Sequence, residues 1–109
     1  MIQATFHMEG SNIVSFQVEG HSGLAEAGTD VLCAAVTSAV RLTECAVNDV
    51  LGLEAGVKVK PEKALISLKL PRGLGQTNES TCQTLMAALM VYFTQLQEEY
   101  PDNIIVMEV

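Results

Sequence analysis

The sequence predicts an α+β fold: two helices packed on a mostly antiparallel sheet of four or five strands, in the order β-β-α-β-β-α-β. Three observations predict it. The chain opens on two stretches of strict apolar–polar alternation separated by a turn, the mark of a hairpin with one buried face. Two later stretches carry apolar residues at helical spacing, and short β-rich segments lie between and after them. With 109 residues and 49% hydrophobic content, the chain is long enough for one domain, 1–109, with a single core of two layers.

Ile2, Ala4, Phe6 and Met8 alternate with Gln3, Thr5, His7 and Glu9, and Val14, Phe16 and Val18 alternate with Ser15, Gln17 and Glu19. Glu9-Gly10-Ser11-Asn12 is the turn between them. The alternation puts Thr5 and His7 on the sheet's second face and leaves open whether that face is solvated or paired. Leu32, Val36, Val40, Val47 and Val50 then recur at helical spacing, with Asp30 placed as N-cap and Gly52 as the stop, so a helix is expected from about 31 to 51. Val57 to Lys60 and Leu65 to Leu70 are the next two strands, the second closed by Pro71. Arg72 to Thr77 is a flexible connection, and Ser80 with Gln83 has the spacing of a capping box. Cys82, Leu85, Met86, Leu89, Phe93, Leu96 and Tyr100 form the apolar stripe of a second helix ended by Pro101, and Ile104 to Val109 is the last strand.

The net charge of −7, from 13 acidic and 6 basic residues, argues against binding a phosphate backbone, which rests on Lys and Arg. It suits a basic protein or peptide as partner. Lys58, Lys60, Lys63 and Lys69 are scattered over two strands, where they fit edge protection better than nucleic-acid contact. No apolar run approaches the ~18 residues of a membrane span and no leader pattern opens the chain, so a soluble, intracellular protein is expected. Three cysteines, 33, 45 and 82, form no CxxC pair, which speaks for free thiols in a reducing compartment and against a metal site. Cys45 and Cys82, with no histidine nearby in sequence, are read as core residues.

Chemistry concentrates between Gly20 and Thr37. With Asp30 as N-cap, Cys33 falls in the first helical turn, near unsatisfied N–H groups and the positive end of the helix dipole, both of which favour a thiolate. The same N–H groups suit an oxyanion hole. The plainer alternative is that Cys33 is a small buried hydrophobe. His21, at the end of the second strand, starts a loop that must return to the helix start; there it is either a general base for Cys33 or an exposed loop histidine. Gly20, Gly23 and Gly28 are either hinges of a lid over a peptide or suppliers of positive φ. Asp30 is a cap, with the second possibility that it orients the imidazole.

Gly20-His21-Ser22, Gly28, Asp30 and Cys33-Ala34-Ala35-Val36-Thr37 closely resemble the signature of the ribosomal-processing cysteine protease family (Prp). The resemblance implies that Cys33 is the nucleophile, His21 the general base and Asp30 the family's aspartate. It further implies a homodimeric α+β fold and a cytoplasmic endopeptidase needing no cofactor. The family's substrate is the N-terminal extension of the large-subunit ribosomal protein L-twenty-seven precursor, cut after an aromatic residue. A second reading, from a different class, is a non-catalytic ribosome-associated binding module with a structural Cys33. A third, a thiol redox sensor, lacks a resolving cysteine close in sequence.

Overall fold

The alternation that opens the chain produces a hairpin, and the remaining elements assemble around it. In the computed structural model, which describes residues 1–23, 25 and 30–109, strands β1 (Ile2–Glu9) and β2 (Asn12–Glu19) lead into helix α1 (Val31–Glu44). A π-helical segment, Cys45–Val50, extends α1. Strands β3 (Gly56–Lys60) and β4 (Leu65–Lys69), helix α2 (Gln76–Glu99) and strand β5 (Ile104–Glu108) follow. The five strands lie in the order β3-β4-β2-β1-β5. Every pairing is antiparallel except β1 with β5, which is parallel because α2 carries the chain back across the sheet. The expected α+β sandwich is therefore the observed one, with five strands.

Inward-facing residues of the central strands meet in register. Phe6 lies opposite Phe16 and Ala4 opposite Val18. The Phe6 and Phe16 rings sit 5.8 Å apart, and Phe93 of α2 places its ring 6.2 Å from Phe6. All three rings are buried, with Leu32, Val36 and Val40 of α1, Val47 of the π-helical segment, and Met86 and Leu89 of α2 closing the same core. The polar alternates Gln3 and His7 face outward and are exposed, and β3, an edge strand, carries exposed Lys58 and Lys60.

Four local expectations are corrected. A bulge between His7 and Met8 makes Val14 the unpaired residue, so Ile13, not Val14, joins Phe16 and Val18 on the inward face of β2. Widening of the last part of the first helix to π geometry, marked by the Leu51 N–H donating to the Ala46 carbonyl at 3.0 Å, rotates the apolar stripe. Leu51 turns toward the core in consequence, and Val50 is left 76% exposed. Cys45 starts that segment on the outer face and is exposed rather than packed in the core. The capping box does not form: α2 begins at Gln76 with Gly75 as its N-cap, so Ser80 lies inside the helix. Gln83 instead reaches across to β2, accepting the Ile13 N–H at 2.7 Å and donating to the Ile13 carbonyl at 2.8 Å.

By length and composition Val31–Val50 is apolar enough to cross a membrane, yet it carries Arg41, Glu44 and Asp49 and seats its Leu32–Val36–Val40–Val47 stripe in the core. The core also sets a stability test. Phe93 is fully buried against Phe6, so Phe93→Ala is expected to cost about 3–5 kcal/mol in urea unfolding, the range for truncating a buried aromatic.

Candidate active site

The site lies where β2 ends and α1 begins, and each residue in it is held by a local backbone requirement. Gly20 closes β2 with φ +96°, and a Cβ there would collide with the Met1 carbonyl oxygen, so this position needs glycine twice over. Its N–H donates to the carbonyl of Ala64 at 3.1 Å, tying the strand end to the turn before β4. Ala64 itself holds a left-handed φ of 48°. Gly23 has φ +73° with open space around it, and Gly28 lies outside the described residues.

Asp30 caps α1 as expected: its Oδ1 accepts the N–H groups of Leu32 and Cys33, each at 3.0 Å. Its second oxygen, Oδ2, accepts the hydroxyl of buried Ser22. The hydrogen bond from Ser22, and after it the backbone N–H of Cys33, hold the Asp30 carboxyl at about 2, below the ordinary 3.8. Both of its oxygens are thus engaged with the helix start and with Ser22, and the bonds that Asp30 makes are those of a clamp between loop and helix.

Cys33 is half-buried in the first turn of α1, and the Ser22 N–H donates to its Sγ at 3.4 Å. This donor differs from the expected one. The N–H groups of Leu32 and Cys33 are taken by the Asp30 carboxylate, and that of Ala34 by the Asp30 carbonyl at 3.1 Å. The helix start therefore has these three donors already spent, and the polarising group at the sulfur comes from the loop. Ser22 is in turn anchored by Asn103, in the corner between α2 and β5, whose Nδ2 donates to the Ser22 carbonyl at 2.8 Å. Neither contact was legible in the motif, since both depend on the fold bringing distant segments together.

His21 is exposed and lines the same cleft as Cys33; among the described residues no hydrogen bond joins the two side chains. The cleft has a volume of about 540 Å³. His21, Asp30 and Cys33 line it together with apolar Ile2, Val18, Val59 and Ile66. Val59, on the edge strand, is 61% exposed there. Cys82 is enclosed in the core, where burial, and secondarily Glu79, pushes its thiol up, so it is no rival to Cys33 as a nucleophile.

A thiol that takes a backbone N–H and an imidazole lining the same apolar cleft can carry out nucleophilic attack on a peptide carbonyl, the chemistry of a cysteine protease. The family model described as "Cysteine protease Prp" matches residues 1–105. A relative from Bacillus subtilis (strain 168), ribosomal processing cysteine protease Prp, is 30% identical over 105 residues, covering 95% of this chain and 94% of its own. The fold matches that of an essential ribosomal processing protease Prp from S. aureus, solved with a covalently linked product peptide, at TM-score 0.89 and 17% identity over the full length of both chains. It also matches SMU.848 from Streptococcus mutans at TM-score 0.85 and 24% identity, over all of this chain and 94% of the other. The chain belongs to the Prp family of ribosomal-processing cysteine proteases.

The clamp has a pH signature. A carboxyl lowered from 3.8 to about 2 on folding contributes stability that is complete above about pH 4 and is lost as pH falls through 2. Asp30→Ala is expected to lower the Tm at neutral pH and to flatten the fall in Tm between pH 4 and 2. An equal acid slope in wild type and variant would show that the clamp does not form.

Proposed function

We propose that this chain removes the N-terminal extension of the large-subunit ribosomal protein L-twenty-seven precursor, with Cys33 as nucleophile and His21 as general base. The observation that carries the reading is the Cys33 sulfur, polarised by the Ser22 N–H, in a cleft that His21 also lines. His21 takes the thiol proton, the thiolate adds to the scissile carbonyl, and the tetrahedral intermediate collapses as His21 returns that proton to the leaving amine. Water then hydrolyses the thioester, releasing the new C-terminus and regenerating the thiol. The S. aureus relative's covalently linked product peptide is in keeping with such a step.

The apolar wall of Ile2, Val18, Val59 and Ile66 suits the aromatic residue before the cut. Gly20 and Gly23, both at positive φ, serve as hinges for closing the site over the bound peptide and excluding water. Residues 1–109 act as one catalytic domain in the cytoplasm, without cofactor. A net charge of −7 attracts a free basic ribosomal protein and is repelled by ribosomal RNA, so cleavage precedes assembly.

The direct test incubates wild type, Cys33→Ala and His21→Ala with precursor under reducing conditions and reads products by mass spectrometry. Wild type is expected to release the extension, Cys33→Ala to leave the precursor intact, and His21→Ala to be slower by roughly 10²–10⁴-fold, the range for loss of a general base. Cleavage by Cys33→Ala at the wild-type rate, or an intact precursor with wild type, would leave a binding module with a structural cysteine as the better account.

The protein acts as a homodimer. A groove of about 440 Å³ between α1 and α2, lined by Ala39, Leu42, Leu85 and Tyr92, supports this, since it exposes 71% of Leu42. Sedimentation is expected to give a dimer for wild type and a shift toward monomer for Leu42→Asp; a wild-type monomer at micromolar concentration would contradict it.

A further inference from the structure

We propose that Asn103 is a positioning residue for the Cys33 sulfur, acting through the backbone of Ser22; the proposal rests on the reading of Cys33 as nucleophile. Among the described residues, Ser22 is held by three bonds that bear on the cysteine. Its N–H meets Cys33 Sγ at 3.4 Å, its hydroxyl meets the Asp30 carboxylate, and its carbonyl receives the Asn103 amide at 2.8 Å.

These anchors are not equivalent. The Asp30 bond holds the side chain, which turns about its own Cα–Cβ bond and so constrains the direction of the Ser22 N–H less than a bond to the main chain does. The Asn103 bond grips the main chain itself, one peptide beyond the N–H that faces the sulfur. A donor at 3.4 Å from sulfur loses its effect steeply with misalignment, so its contribution depends on that backbone being held. The anchor point is itself fixed: the Asn103 N–H donates to the Tyr100 carbonyl at 3.0 Å, and its carbonyl accepts the Ile2 N–H at 2.9 Å. Asn103 thus ties the loop at the cysteine to the junction of α2, β1 and β5.

An N–H held on sulfur orients the Cys33 side chain and supports the charge that develops there as the sulfur reacts. Among the described residues, the other titratable side chains lining the cleft are His21 and Asp30, and Asn103 touches neither of them through its side chain in the bonds described. Its effect therefore passes through Ser22.

The test compares wild type with Asn103→Leu, which keeps the volume and removes the donor, and Asn103→Asp, which keeps the shape and sets an acceptor against the Ser22 carbonyl. Iodoacetamide alkylation at pH 7 is read cysteine by cysteine by mass spectrometry, with no substrate present and exposed Cys45 as an internal control. Both variants are expected to slow alkylation of Cys33 by about three- to tenfold, the scale of one hydrogen bond to a charged acceptor, and to leave Cys45 unchanged. On the precursor peptide kcat is expected to fall by a similar factor with KM held. A folded variant with a lower Tm but wild-type alkylation of Cys33 would make Asn103 a structural residue only and overturn the proposal. So would loss of the fold, by circular dichroism, in both variants. Should wild type cleave no precursor, the substrate assignment fails while the alkylation comparison still decides the role of Asn103.

Discussion

The site depends on what the Asp30 carboxylate does with its two oxygens. One accepts the N–H groups of Leu32 and Cys33, the second and third residues of the helix that carries the cysteine, and the other takes the Ser22 hydroxyl from the loop that carries His21. Helix start and loop are thereby fixed to each other at one buried point. Without it the loop would lose its side-chain bond to the first turn of α1. The arrangement also occupies the Leu32 and Cys33 N–H groups, donors of the helix start that an anion would otherwise use. Polarisation of the sulfur passes to the Ser22 N–H, which belongs to the loop and not to the helix.

Much of the fold was legible because it follows from period. Alternation in β1 and β2 and the 3.6-residue spacing in α1 and α2 report which faces are buried, and Phe6, Phe16 and Phe93 meet where those patterns intersect. What escaped was every departure from period. The bulge at His7/Met8 moves one residue out of alternation, and the π segment shifts the helical stripe by a fraction of a turn, so Val14 and Val50 changed faces. Gln83 was misread for a different reason. Its spacing from Ser80 is a local signal, whereas its partner, Ile13, lies on another element and appears only once the sheet and α2 are packed.

The same division holds at the site. His21, Asp30 and Cys33 fall within one short segment, and capping chemistry alone located Asp30 and put Cys33 in the first turn. Ser22 sat inside the motif, but its three contacts have no local signature: they need the loop to fold back on α1 and the α2–β5 corner to arrive beside it. Asn103 reads locally as a turn residue after Pro101-Asp102 and nothing more. Close packing of the loop was signalled only by Gly20, whose positive φ and contact with the Met1 carbonyl leave no room for a side chain.

The cleft's composition follows from how the two layers overlap. Inward-facing Val18, Val59 and Ile66 look out onto a cleft of about 540 Å³ rather than into a fully closed core. An apolar residue as open as Val59 on an edge strand is ordinarily a liability, since it invites pairing with another chain. Here the exposed lysines 58 and 60 flank it, making the edge a poor template for self-association while the wall between them stays apolar. A helix extended to cover this wall would bury it well, and would also close the approach to Cys33. The uncovered part of the sandwich beside Cys33 is thus the structural condition for the chemistry: the apolar wall there stays open, so that the sulfur can be reached.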